Sequence, residues 1–163
     1  MTSRRQSLFG DIAAAFLLLS RIPVTYQFPK DTPPDFIQSL WAFPLVGFLI
    51  GGIGGLVLTA AKLLGLPGLF SGALCVAILA ISSGAMHEDG LADTADGFGG
   101  GHTTGDKLRI MHDSHIGSYG TLALCLSTII RTHLFATISD TDMSIPMIII
   151  LVSTIIAGGR GLV

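Results

Sequence analysis

The stretch Trp41-Ala-Phe-Pro-Leu-Val-Gly-Phe-Leu-Ile-Gly-Gly-Ile-Gly-Gly-Leu-Val-Leu58 carries no charged side chain, and none occurs anywhere between Asp35 and Lys62. A helix needs about 20 mostly apolar residues to cross the ~30 Å hydrocarbon core of a bilayer. The uncharged interval meets that length, and Trp41 stands at its start, where an interfacial aromatic anchor belongs. Three further stretches read the same way: Leu69 to Ser83, Ile116 to Ile130, and Met143 to Gly159. Residues 12 to 20 are apolar but too few to cross, and Pro23 and Pro29 follow them, so they are expected to form an interfacial or re-entrant piece. The fold class expected is all-α, a multi-pass transmembrane helical bundle with one polar loop.

The composition agrees with a membrane solvent. Half of the 163 residues are hydrophobic and only 12% are charged, against about 25% in soluble domains, and the mean hydropathy is +0.70. A formal charge of -2, from 11 acidic and 9 basic residues, leaves no basic footprint and excludes nucleic acid as a partner class. The 21 glycines suit helices that pack closely inside a bilayer. Cys75 and Cys125 stand alone in apolar runs and read as packing residues. Arg4 and Arg5 ahead of Ile12-Ala-Ala-Ala-Phe imitate a signal peptide. Asp11 interrupts that run, and Arg21-Ile-Pro-Val24 replaces a small-residue cleavage site, so no cleavage is expected.

Basic residues orient the spans, because cytoplasmic loops hold the excess of Lys and Arg. With four spans and the N-terminus inside, Arg4, Arg5, Arg21, Lys30, Lys107, Arg109 and Arg160 fall on the cytoplasmic side, and Lys62 and Arg131 on the other. The loop from His87 to His115 is then cytoplasmic.

That loop holds six of the 11 acidic residues and four of the five histidines. Read as a helical extension of the second span, it places Asp89, Asp93 and Asp96 at i, i+4 and i+7, within about 60° of arc. Carboxylates on one stripe repel one another unless a cation sits among them. Oxygen-only ligands suit Mg²⁺ or Ca²⁺ better than zinc, and Mg²⁺ takes one or two carboxylates together with substrate phosphates. Phosphoryl transfer is the chemistry this implies. The run Gly97-Phe-Gly-Gly-Gly101 is expected to end the helix and offer backbone amides to phosphate oxygens, although ordinary helix termination explains those glycines equally well. Lys107 and Arg109, on a short helix from Thr104 to Met111 with threonine caps, are placed to meet the same phosphates or to serve as topology charges. Asp113 leaves that helix as a further ligand or a general base. Familiar motifs fail: His87-Glu88 has Leu91 where a metalloprotease needs His, and Asp106 stands where a phosphate loop needs Lys.

His87-Glu-Asp-Gly-Leu-Ala-Asp-Thr-Ala-Asp-Gly-Phe-Gly-Gly-Gly101, followed by Leu108-Arg-Ile-Met-His-Asp-Ser-His-Ile-Gly-Ser-Tyr-Gly120, resembles the cobalamin synthase family, the adenosylcobinamide-GDP ribazoletransferases. Phe16-Leu-Leu-Leu-Ser-Arg-Ile-Pro-Val24 and Phe43-Pro-Leu-Val-Gly47 are similar to its other elements, so the resemblance covers essentially the whole chain. It implies a single multi-pass membrane domain over 1–163 with a catalytic segment at 87–117, in the bacterial or archaeal inner membrane. It implies transfer of the adenosylcobinamide-phosphate group of adenosylcobinamide-GDP to α-ribazole or its 5'-phosphate, with release of GMP and use of Mg²⁺.

On that resemblance Asp89, Asp93 and Asp96 hold the metal with Glu88 as an extra ligand, and His87 and Asp113 transfer protons. Substrate contacts fall to Arg21, Gly99, Gly100, Gly101, Lys107, Arg109 and Ser114. The chain departs from the family in two respects. His112 and His115 flank Asp113-Ser114 where members usually carry Lys and Arg, which exchanges permanent charge for groups that titrate near neutrality. Members also continue with further helices past the position of Val163, so the chain is expected to be C-terminally truncated relative to them. The alternative from another class is a transporter with an acidic ion site, which requires acids near the middle of a span. Stretches 36–61 and 63–86 have none. The sequence leaves the oligomeric state open, a homo-oligomer included.

Overall fold

In the computed structural model the described residues are 7–28 and 33–161. Among them are seven α-helices and one 3-10 turn, with no strand. Arg4, Arg5, Pro29 and Lys30, used in the sequence reading, lie outside the described residues. Ser7 opens α1 (Leu8–Leu19) by accepting the Gly10 amide at 3.1 Å, the usual satisfaction of an orphan N–H at a helix start. At 12 residues α1 is too short to cross a bilayer, as expected. Its buried Asp11 accepts the Trp41 indole N–H at 3.1 Å, which ties α1 to the 3-10 turn Leu40–Ala42. That turn leads into α2 (Phe43–Leu63), where Pro44 in the first turn gives up an N–H that has no helical partner anyway.

The glycines of α2 decide its neighbours. A Cβ on Gly47, Gly51 or Gly55 would sit 2.9, 2.7 or 2.8 Å from the Cα of Ala157, Ser153 or Ile149 in α7 (Ile145–Gly161). The four-residue spacing therefore lets two backbones touch along one face, the small-residue packing of membrane helices. Gly54 faces Cys75 and Leu79 of α3 (Gly68–Ser83), and Gly72 of α3 in turn lies against the backbone of Thr132 and Ala136 in α6 (Ser118–Ser139). Val46, Ile50, Leu58, Cys75, Ile148 and Val152 fill the fully buried core between these helices.

Among the described residues two helices, Leu40–Leu63 and Ser118–Ser139, are long and apolar enough to cross a membrane, and a third span is available if α3 and the helix after it count as one broken segment. Of the four spans expected from sequence, the second is thereby corrected to one half of a bent pair. The apolar run that starts at Met143 forms α7, described over Ile145–Gly161, and the third candidate begins at Ser118 and continues to Ser139. The polar helix α4 (Met86–Gly100) does not extend α3 either, because the two meet at 91°. Gly84 and Ala85, both with left-handed φ (67° and 57°), make that bend. Ala85 is the costly member, since a Cβ disfavours the left-handed region. Cys75 packs in the core as expected, whereas Cys125 is exposed on α6. Arg131 is not a loop charge on the far side, as the topology reading had it, but part of α6, where it pairs with Glu88.

Candidate functional site

Helix α4 carries Asp89, Asp93 and Asp96 on one face, as the spacing requires, yet the three acids meet different surroundings. Asp96 is buried and its carboxylate turns to the start of α6. Its Oδ2 accepts the Gly117 N–H at 2.7 Å and its Oδ1 the Gly120 N–H at 2.8 Å. These are two of the amides that a helix start leaves unpaired, so Asp96 caps α6 from a neighbouring helix. A Cβ on Gly117 or Gly120 would collide with that carboxylate. Glu88 is also committed: its Oε1 accepts from Arg131 Nη1 at 2.6 Å. Asp89 is exposed and Asp93 half-buried, and neither carboxylate has a hydrogen bond or ion pair among the described residues.

These two free carboxylates line a cavity of about 520 Å³. Its other wall is the end of α5 (Thr104–Met111) and the residues after it, with His112, Asp113, Ser114 and His115. Helix α5 starts where the sequence reading put it, and Thr103 and Asp106 form a reciprocal capping box. The Thr103 hydroxyl and amide both donate to Asp106, and these contacts hold its carboxyl below the usual carboxylate range. Asp113 Oδ1 accepts the ring Nδ1 of His115 at 2.7 Å and the His115 backbone N–H at 3.1 Å. The ring bond first, and the backbone bond second, hold the Asp113 carboxyl below its ordinary value. A carboxylate only accepts, so His115 Nδ1 carries the hydrogen and Nε2 is left as the basic nitrogen. By the same reasoning His112, whose Nδ1 lies 2.6 Å from the Leu108 carbonyl, keeps its Nε2 free.

The glycine run ends the helix as expected but does not free its amides. Helix α4 continues to Gly100, and the Gly101 amide donates to the Gly97 carbonyl at 3.0 Å. The amides of Gly99, Gly100 and Gly101 thus belong to the helix, and no phosphate cradle forms from them. The glycines admit neighbours instead: a Cβ would meet Met111 at Gly97, the Tyr119 ring at Gly99 and Lys107 at Gly101. Lys107 lies 4.5 Å from the centroid of the Phe98 ring, a cation–π contact, and Arg109 is exposed. Arg21 lies against Gly84, and with Asp89 it lines a separate cavity of about 510 Å³ at the α3–α4 bend.

His87 and Asp113, paired in the sequence reading as proton carriers, line different cavities. Among the described residues no group of three or more His, Cys, Asp or Glu side chains stands together as a metal site. The Asp89 and Asp93 pair still suits a cation that takes one or two carboxylates and completes its shell with phosphate and water. Sequence reasoning missed the His115–Asp113 couple and the capping role of Asp96, because both depend on where chain segments meet. The spacing Asp113-Ser-His115 was visible, and a side-chain turn across two residues is the signal that could have found the first.

An all-helical membrane fold that sets two free carboxylates against a histidine-lined polar wall at one end of its bundle defines the class of this protein. The family model for cobalamin-5-phosphate synthase (CobS) matches residues 11–162, and the chain belongs to that family. It is 46% identical over 133 residues to an adenosylcobinamide-GDP ribazoletransferase of Azorhizobium caulinodans, covering 80% of this chain and 50% of the relative. It is 37% identical over 147 residues to that of Mesorhizobium japonicum, covering 86% and 53%. The Xanthobacter autotrophicus protein of the same name is 45% identical over 126 residues, covering 74% and 47%. The chain therefore spans about half the length of the curated relatives it matches. No solved structure matches it. The transporter reading gains no support from these relatives.

Proposed function

We propose that this chain supplies the catalytic face of an adenosylcobinamide-GDP ribazoletransferase of the bacterial cytoplasmic membrane, with residues 87–117 facing the cytoplasm. The observation that carries this reading is the pair Asp89 and Asp93, one helical turn apart and unpartnered, opposite Asp113, Ser114 and His115 across one cavity. A ribose hydroxyl of α-ribazole or its 5'-phosphate attacks the phosphorus bonded to cobinamide. The new P–O bond forms as the bond to the bridging oxygen of the diphosphate breaks and GMP leaves. His115 Nε2 accepts the hydroxyl proton, and Asp113 holds the ring and stabilises the imidazolium. Asp89 and Asp93 would hold Mg²⁺, which supplies charge neutralisation for the diphosphate when bound. Ser114 would donate to a phosphate oxygen, and Arg21 lines the neighbouring cavity that Asp89 shares.

The test is to give the purified chain in detergent adenosylcobinamide-GDP, α-ribazole or its 5'-phosphate, and Mg²⁺, and to follow GMP. Release of GMP is expected, with turnover falling by about two orders of magnitude or more in Asp93→Asn, as loss of several kcal/mol of charge stabilisation predicts. No GMP from the unmodified chain, or an unchanged rate in Asp93→Asn, would overturn the reading.

A further inference from the structure

Glu88 separates the transfer cavity from a second one. This smaller space, about 200 Å³, lies where α3, α4, α6 and α7 converge and is lined by His87, Glu88, Arg131 and Arg160 over an apolar floor of Leu79 and Ile156. Arg131 is already bonded to Glu88 Oε1. Arg160 is only 6% exposed, and its Nη1 is buried without a hydrogen-bond partner among the described residues, as is Glu88 Oε2. Turning these two orphans toward each other would still leave two guanidinium groups against one carboxylate, with His87 beside them. A buried charge without a counter-charge is strongly unfavourable, and ionisable groups inside membrane helices mark binding sites more often than packing. The surplus is cationic, so what satisfies it is an anion.

We propose that this cavity binds a phosphate group, held by Arg160 and Arg131. Guanidinium forks match tetrahedral oxyanions with paired N–H donors, which an ammonium cannot do. The volume is below the roughly 300–1,000 Å³ that encloses a whole drug-sized ligand. It therefore takes a small anion or the phosphate end of a longer molecule. Two sources carry that chemistry: the phosphomonoester of a soluble substrate reaching past Glu88 from the transfer cavity, and the phosphodiester of a lipid entering between the helices.

The experiment is calorimetric titration of the chain in a neutral detergent with EDTA present, so that neither metal nor turnover enters and the outcome is independent of the transferase reading. The probes are inorganic phosphate, ribose 5-phosphate and short-chain phosphatidylglycerol. At least one is expected to bind saturably, and Arg160→Gln to weaken it at least tenfold, with Arg160→Lys intermediate and Lys62→Gln without effect. Tighter binding of ribose 5-phosphate than of phosphatidylglycerol assigns the substrate source, and the reverse order the lipid. Glu88→Gln frees Arg131 and is expected to tighten binding severalfold, which keeps the proposal testable should the Arg160 variants fail to fold. Absence of binding by all three probes, or binding unchanged in Arg160→Gln, or weakened in Glu88→Gln, would overturn it.

Discussion

With both the ring and the backbone of His115 donating to one oxygen of Asp113, the ionised form of that carboxyl is favoured in the folded chain. A depressed carboxyl contributes stability that is present above its ordinary value of about 3.9 and is lost as the pH falls through the lower, folded value. A carbon-13 titration of Asp113 in micelles should give a midpoint below about 3.9, and His115→Ala should return it upward. A midpoint at or above the ordinary value would dissolve the couple. Asp96 belongs to the same scale but does a different job. Asp96→Ala strips the acceptor from two amides at the start of α6 and should cost about 1–3 kcal/mol. Asp93→Ala, which breaks no hydrogen bond or ion pair among the described residues, should change stability by less than about 0.5 kcal/mol. Thermal unfolding of the two variants side by side measures the difference, and equal shifts would remove the capping assignment.

Among the elements, the seam between α2 and α7 has the least tolerance. A methyl added at Gly51 would have to occupy space 2.7 Å from the Cα of Ser153, and backbone cannot yield as a flexible side chain can. Gly51→Ala should therefore destabilise by about 1–3 kcal/mol. Gly158 lies on α7 with open space where its Cβ would be, so Gly158→Ala should stabilise by about 0.5–1 kcal/mol through helix propensity alone. Opposite signs in unfolding from micelles are the expected result, and a neutral Gly51→Ala would show that the helices are not in backbone contact. The bend between α3 and α4 is the second decisive element. It turns the acidic helix away from the direction of the span, which lets its carboxylates face a water-accessible cavity.

For the molecule as a whole, the antiparallel order of α2, α3, α6 and α7 segregates charge by end. Lys62 donates to the Thr141 carbonyl at one end, while Arg21, Lys107 and Arg109 gather around the α3–α4 bend and α5 at the other. With Arg131 beside Glu88 in α6 and Arg160 buried in α7, the basic residues left at the two ends among those described divide three to one, the same direction of bias as in the sequence. In a Cys125→Ser background, needed because Cys125 is exposed, a cysteine at Gly100 should react with impermeant reagents only from the cytoplasmic face. Labelling from outside would reverse the proposed orientation.

What the sequence determined by itself follows from short-range physics. Apolar runs bounded by charge report membrane helices, the i, i+4, i+7 spacing of Asp89, Asp93 and Asp96 reports a shared helix face, and Thr103 with Asp106 reports a helix start, because each signal is complete within one or two helical turns. The motif from His87 to Gly120 also sufficed to place the chain in its family. Only the tertiary structure decided which acids are free. Asp89, Asp93 and Asp96 are alike along the chain, and what separates them is a helix start 21 residues further on that claims Asp96. The same holds for the glycine run, which stops the helix as its sequence says, while its close contacts with α5 and Tyr119 appear only in the fold. It holds as well for Arg131 and Arg160, which meet around Glu88 from two different helices. Their counter-charges and neighbours come from chain distant in sequence, and no local pattern encodes that distance.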